Sequence, residues 1–186
     1  ISVLKDKEEI KFQKLILMKS IGSAKIQSYF YIIKDFLKEE DHELVNQAII
    51  SAGTTMHPDF IPELYVFLAN EKTREAAKSA LLNFGPAILD SFNEKIRNEE
   101  LPIEYLIHVP SIVEKIGIQP SVELLFILLD KDDIQLKMEA LRSLNNLKER
   151  FPQLKFHQKL VIKRILNEAH LYMETLLALN AQITAM

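Results

Sequence analysis

Five histidines are the residues of this chain best suited to acid–base chemistry or metal binding: His42, His57, His108, His157 and His170. A zinc site requires three or four converging ligands, and histidine ligands that share a helix are commonly four residues apart. No two of these histidines have that spacing, and none lies in an HExxH sequence. The pattern favours surface or turn roles, and we predict no metal site.

Two groups of carboxylates could instead bind a hard cation or exchange protons. They are Glu39, Glu40, Asp41 and Glu43 in the first group, and Asp130, Asp132 and Asp133 in the second. Each group directly precedes a predicted helix, where carboxylates accept hydrogen bonds from free backbone N–H groups and stabilise the positive end of the helix dipole. We therefore predict helix capping, by Asp41 and Asp132, rather than ligand binding.

Other catalytic patterns are missing from the sequence. There is no cysteine, so thiolate chemistry and Cys-ligated metals are excluded. The four glycines are isolated and cannot form a phosphate-binding loop, and no GxSxG sequence occurs. We predict no catalytic residue and no cofactor, and we expect the chain not to be an enzyme.

A basic stretch spans residues 148–164: Lys148, Arg150, Lys155, Lys159, Lys163 and Arg164. We interpret it as the solvated face of a C-terminal helix whose apolar side turns inward. Docking of an acidic partner or of lipid headgroups is the alternative. The net charge of -3 argues against a nucleic-acid surface, which would need a basic excess.

The elements that position these residues are predicted to be helices, because the chain has only 4 Gly and 7 Pro among 186 residues. Four segments share one apolar pattern, with apolar residues at i, i+4, i+5 and i+8 and a glycine or asparagine at the end. They are residues 42–53, 74–85, 108–117 and 134–146. Gly53, Gly85 and Gly117 are spaced 32 residues apart, which indicates a repeat.

Apolar segments before these copies complete a helix–turn–helix unit; they cover residues 29–41, 60–73 and 121–133. Prolines mark the predicted helix starts, at Pro58, Pro62, Pro102 and Pro120. Glycines that follow a stripe are predicted to cap helix C-termini, because glycine adopts left-handed backbone at least cost. Residues 7–20 and 156–186 are predicted to form further helices, the second with an apolar stripe that includes Leu160, Val161 and Ile165.

Residues 124–147, LLFILLDKDDIQLKMEALRSLNNL, resemble a HEAT repeat, and residues 109–130 are similar to the linking part of such arrays. The resemblance covers about residues 30–150 and rests on degenerate motifs. It implies an all-α, armadillo-type α-solenoid of antiparallel helix pairs with a right-handed superhelix, about four to five repeats and roughly nine to eleven helices. The arginine frequent after the family's turn is absent, since Val45, Ala77 and Lys137 occupy that position.

We expect one solenoid domain over residues 1–186: an N-terminal helix over 1–22, repeats over 23–150 and a long capping helix over 151–186. Because the chain begins with Ile1, we also expect it to be part of a larger protein. The start, ISVLKDKEEI, is charged where a secretory signal would be apolar, and no run of eighteen apolar residues predicts a membrane span. We expect a cytoplasmic location, or attachment to the cytosolic face of a membrane through an adjacent domain.

The function predicted from this architecture is a non-catalytic interaction or regulatory scaffold, with a protein or another domain of the same chain as partner and no nucleic acid. Helices stacked in a solenoid present a concave surface. The residues expected to project from it are Gln47, Lys78, Ser111, Glu139 and Arg142. Two alternatives remain: a cytosolic regulatory domain of the kind attached to bacterial nucleotide-transporter-like membrane proteins, and a HEAT-like DNA glycosylase.

Overall fold

A computed structural model describes residues 2–156 and residue 173, with side chains from residue 6 onward. The helices in chain order are α1 (Ser2–Ala24), α2 (Phe30–Phe36), α3 (His42–Thr55), α4 (Ile61–Tyr65), α5 (Arg74–Leu82), α6 (Ala87–Arg97), α7 (Ile103–Leu106), α8 (Val109–Ile116), α9 (Gln119–Leu128) and α10 (Ile134–Arg150). Short 3-10 helices cover Gln27–Tyr29, Pro58–Phe60 and Val66–Leu68.

The predicted all-α class is confirmed, since no strand occurs among these described residues. Within the same part of the chain, no helix is both long enough and apolar enough to cross a membrane. The chain divides into two compact units, Ile1–Pro152 and Gln153–Met186, and α1 to α10 all lie in the first. The apolar stripe predicted for residues 156–186 falls outside the described residues except for Met173, which is helical and exposed.

Five helices of the first unit contact one another in sequence order: α1 packs on α3, α3 on α5, α5 on α8, and α8 on α10. The remaining helices pack beside this row. Helix α2 contacts α1 and α3, α4 contacts α5, and α9 contacts both α8 and α10. The core lies between the row and these flanking helices, and its fully buried side chains include Ile49, Leu64, Leu81, Ile112 and Leu125.

Carboxylates begin two of the row helices. Asp41 Oδ1 accepts hydrogen bonds from the backbone N–H groups of Glu43 at 2.9 Å and Leu44 at 3.3 Å, which confirms Asp41 as the cap of α3. The prediction for α10 was wrong by one residue. Asp133 rather than Asp132 caps it, through a 2.7 Å bond from the N–H of Leu136. A cap lies two or three residues before the N–H groups that it binds, and the three aspartates of this turn offered more than one such register.

A glycine ends a helix at one of the predicted positions, since Gly117 caps α8 with φ +67° in the left-handed region. Gly85 also has left-handed backbone, with φ +59°, but it lies three residues beyond the end of α5, whose C-cap is Asn83, so the predicted cap is wrong there. Gly53 does not cap a helix, contrary to the prediction. Helix α3 continues through it to Thr55, and Met56 takes the left-handed cap position with φ 55°.

Gly53 is instead required by close helix packing. A Cβ at residue 53 would lie 2.5 Å from Ala80 Cα and 2.9 Å from Ala80 O, both backbone atoms of α5. The pair formed by α1 and α3 repeats this arrangement less tightly, since a Cβ at Gly22 would lie 3.0 Å from Ser51 Cα. Small residues therefore let successive row helices approach backbone to backbone.

The flanking helices depart most from the sequence predictions. Residues 60–73, predicted as an apolar helical segment followed by a polar turn, contain α4 and the 3-10 helix Val66–Leu68. The side chain of Arg74 donates to Leu68 O at 2.8 Å and to Ala69 O at 2.9 Å, which satisfies carbonyls left free where this segment ends. Helix α6 was not predicted, although it buries the apolar residues Ile88, Leu89, Phe92 and Ile96. Helix α7 begins directly after Pro102, one of the predicted helix starts.

Candidate interaction surface

The five residues predicted to face a partner lie on four row helices. Gln47 is on α3, Lys78 on α5, Ser111 on α8, and Glu139 and Arg142 are on α10. Only the Arg142 side chain is largely exposed, at 63%, whereas 33% of the Glu139 side chain and 16% of the Lys78 side chain are exposed. The surface therefore offers one exposed guanidinium beside half-buried polar groups.

Four of these residues gather around His108, the residue that precedes α8. We name His108, Lys78, Ser111, Glu139 and Arg142 the His108 cluster. Ser111 Oγ donates to His108 O at 2.9 Å, and Arg142 Nη1 donates to Glu139 Oε1 at 2.7 Å. Lys78 and Glu139 lie close enough to His108 for their charges to change its pKa. The cluster thus joins α5, α8 and α10 on one surface.

Partial burial lowers the pKa of His108 from its usual value, because the imidazolium form loses hydration. The positive charges of Arg74 and Lys78 lower it further, while the carboxylates of Glu139 and Glu75 act in the opposite direction. His108 is consequently a neutral imidazole at pH 7, able to donate one hydrogen bond and accept another. Lys78 Nζ lies 3.4 Å from Glu75 Oε1.

Gln47 stands apart from the cluster. Its Nε2 donates to Ser51 Oγ at 3.1 Å on the same helix, and none of the contacts among residues 2–156 links it to His108. The sequence predicts a surface or turn role for His108. It predicts no role for Arg74 or Glu75. A usable signal existed, since both Arg74 and His108 directly adjoin the start of a repeat helix.

Neither protein-family models nor the sequences of curated proteins match this chain. The resemblance to HEAT repeats therefore stays a prediction. The function has to be argued from the arrangement of the chain's own residues.

The first carboxylate group forms ion pairs in addition to its capping bonds. Lys11 of α1 contacts Asp41 at 2.9 Å and Glu43 at 2.6 Å. Hydrogen bonding to Lys11 lowers the pKa of Asp41, and hydrogen bonding to Glu43 and then Asp41 raises the pKa of Lys11. In the second group, Asp133 is engaged at the start of α10. Among the described side chains, no three His, Cys, Asp or Glu residues are grouped to hold a metal ion.

The remaining described histidines make local structural contacts. His42 Nε2 lies 3.2 Å from Lys72 Nζ. His57 Nε2 lies 2.9 Å from Gln27 Nε2, and its ring packs edge-on against Phe30 with a centroid distance of 5.4 Å. His157 and His170 lie outside the described residues.

Part of the basic stretch is described. Lys148 and Arg150 are exposed near the end of α10, as expected for a solvated face. The Arg150 guanidinium lies 3.7 Å from Glu114 and stacks over Phe151 at 5.4 Å. Lys155 is exposed as well, whereas Lys159, Lys163 and Arg164 fall outside the described residues.

Proposed function

We propose that the chain is a HEAT-like α-solenoid module, a right-handed array of about four to five helix pairs, that binds a protein partner without catalysis. The row formed by α1, α3, α5, α8 and α10 would line its concave side. The His108 cluster would be the centre of the binding surface. The observation that carries the proposal is the convergence of side chains from three successive row helices on His108.

Contacts between side chains in different elements support a repeating architecture. In a solenoid, equivalent positions of neighbouring units lie beside each other, so contacts recur at a sequence separation of one repeat. Three contacts join residues 32 positions apart, which equals the spacing of the repeat glycines: Lys11 with Glu43 at 2.6 Å, Glu99 with Lys131 at 3.2 Å, and Glu114 with Asn146 at 3.1 Å.

The charges of the His108 cluster favour a polypeptide over a nucleic acid. Lys78 and Arg142 are positive, Glu139 is negative, and His108 adds a neutral donor and acceptor. A phosphate backbone would be repelled by Glu139, and a purely basic groove would be expected in its place. Arginine is enriched at protein interfaces and can form paired hydrogen bonds, so Arg142, whose Nη1 already donates to Glu139, is the residue proposed to bind the partner's carboxylate or carbonyl groups through its remaining N–H groups.

The proposal is tested by quantitative affinity capture with the whole chain as bait. Arg142→Glu should reduce the recovery of a specific partner by about tenfold, because it places a second carboxylate where a guanidinium was exposed. Lys78→Met, which removes the half-buried cation beside His108, should also weaken capture. Glu123→Lys is the matched control, since Glu123 is an exposed acid on α9, outside the cluster.

A second control distinguishes the effect of net charge on α10 from the effect of where each charge lies. The exchange Glu139→Arg with Arg142→Glu keeps an ion pair on α10 but reverses its direction. It should lose the partner while leaving the far-ultraviolet circular dichroism spectrum unchanged. If capture is the same for the wild type, Arg142→Glu and the exchange variant, the His108 cluster is not the binding surface.

A further inference from the structure

A second surface lies between the segment that joins α3 to α4 and a second segment formed by the residues after α5 and the first two turns of α6. It encloses a volume of about 380 Å³, and we name it the α4–α6 groove. Its lining residues are Met56, Pro58, Ile61 and Pro62 on one side and Asn83, Phe84, Ala87, Asp90, Ser91 and Glu94 on the other. It uses none of the residues of the His108 cluster.

The two sides of the α4–α6 groove differ in chemistry. The α3–α4 side is entirely apolar, and Met56 on it is 48% exposed. The α6 side is polar beyond Phe84 and Ala87, with Asp90 and Glu94 one helical turn apart on the same face. A ligand in this groove meets apolar side chains on one side and carboxylates on the other.

The carboxylates of the groove are free to bind a cation. Asp90 and Glu94 are exposed, and neither forms an ion pair or hydrogen bond among residues 2–156. The neighbouring Ser91 is already engaged, since its Oγ lies 2.7 Å from the hydroxyl of Tyr65. Asp90 and Glu94 therefore have no ion-pair partner in contact among the described residues, and Lys95, whose charge attracts Glu94, is itself paired with Glu100. Lys11, Lys34 and Lys131 likewise have acidic partners elsewhere in the unit.

We propose that the α4–α6 groove binds an extended segment of a partner protein in which basic and apolar side chains alternate. Residues i and i+2 of an extended chain point to the same side and are about 6.6 Å apart. That distance is close to the separation of about 5–6 Å between residues i and i+4 of a helix. Two basic side chains can thus reach Asp90 and Glu94 while the residue between them packs against Met56 and Pro62.

Met56 gives the apolar side its exposed surface despite an unfavourable backbone. Its φ of 55° is a conformation in which glycine is the least strained residue. Packing inside the unit does not account for a large side chain there, since nearly half of Met56 is exposed. A ligand that covers the Met56 thioether would form an apolar contact that a glycine at this position could not form.

The test uses the ¹⁵N-labelled whole chain and three synthetic peptides: acetyl-GKLKLKG-amide, its block isomer acetyl-GKKKLLG-amide, and acetyl-GELELEG-amide. The alternating basic peptide should shift the backbone amide signals of Asp90, Ser91 and Glu94 with a dissociation constant of about 1 mM or below. The block isomer should bind several-fold more weakly, and the acidic peptide should cause no shift.

Variants locate the binding. Asp90→Lys with Glu94→Lys should weaken binding of the alternating peptide by about tenfold or more, and Met56→Gly should weaken it by about threefold. Glu123→Lys should leave the affinity unchanged. Circular dichroism of each variant checks that its helices are intact.

The proposal is overturned if the block isomer binds as tightly as the alternating peptide, if Glu123→Lys weakens binding as much as the double reversal, or if no amide of α6 shifts. Arg142→Glu distinguishes this site from the His108 cluster. It should not change peptide affinity, and capture of the cluster's partner should survive the Asp90→Lys, Glu94→Lys double variant.

Discussion

Replacing Gly53 by alanine tests the packing of the helix row most directly. The new Cβ would lie 2.5 Å from Ala80 Cα and 2.9 Å from Ala80 O, distances at which α3 and α5 must move apart. Overpacking of this kind costs about 1–3 kcal/mol, and contact with backbone atoms points to the upper end. Alanine also improves helix propensity by about 1 kcal/mol relative to glycine. We expect a net loss of about 2 kcal/mol in the free energy of unfolding.

For a chain of this length, that loss corresponds to a decrease in Tm of about 4–8 °C, measurable by circular dichroism at 222 nm. Gly22→Ala is the graded comparison, because its Cβ would meet Ser51 at the longer distance of 3.0 Å, and it should lose less. Adding Ala80→Gly to Gly53→Ala should not restore Tm, since Ala80 Cα and O remain in place. A Gly53→Ala variant as stable as the wild type would refute close packing of α3 on α5.

Three further results are expected. Asp133→Ala should lower the free energy of unfolding, measured by urea denaturation, by about 1 kcal/mol, because α10 loses its cap. Asp132→Ala should have little effect. Equal losses for the two variants would contradict Asp133 as the cap. Met56→Gly should raise the free energy of unfolding by about 1 kcal/mol, because glycine relieves the left-handed backbone, and an unchanged urea midpoint would argue against strain there. The folded pKa of His108 is below its unfolded value of about 6.5, so the unfolded chain takes up this proton first and stability falls as pH decreases through 6.5 towards the folded pKa. Lys78→Met should raise the pKa of His108 in an NMR titration, and a pKa that does not move would remove Lys78 from the cluster.

The all-helical class and several helix ends followed from local chemistry in the sequence. Asp41 and Gly117 each act within one turn of their own helix, so a single sequence window contains the information needed. Gly53 could not be interpreted in the same way. A glycine after an apolar stripe suits both a C-cap and a close helix crossing, and only the position of Ala80 on another helix decides between them.

Helix α6 was missed for a different reason. Ile88, Leu89, Phe92 and Ile96 form an apolar helix stripe at i, i+1, i+4 and i+8, which differs from the i, i+4, i+5, i+8 pattern of the repeat copies, and all four are buried. With a fixed spacing of 32 residues, the third repeat copy falls at residues 108–117. Residues 87–97 are then not assigned to any copy. A period locates equivalent helices, but it does not reveal an additional helix placed between them.

The His108 cluster was predicted in part because side chains on one face of equivalent helices share a repeat position. The shared repeat position predicts that Lys78 and Glu139 lie on the same surface. The effect of both charges on the pKa of His108 supports this prediction. It could not include His108 itself, because this residue lies before α8, outside the shared stripe. Neither could it separate Gln47, whose side chain bonds to Ser51 one turn further along α3.

The last helix of the row shows the limit of inference from a repeat position. Ile49, Leu81 and Leu141 are equivalent in the alignment of the copies, yet Ile49 and Leu81 are fully buried and Leu141 is 42% exposed. The difference has a simple cause, because α3 and α5 are each followed by another helix of the row, whereas α10 is the last row helix among the described residues. In a stacked array, the next unit buries the edge of the one before it. A repeated sequence therefore predicts which side of a helix is apolar, but the burial of that side depends on a neighbour that the repeat itself does not encode.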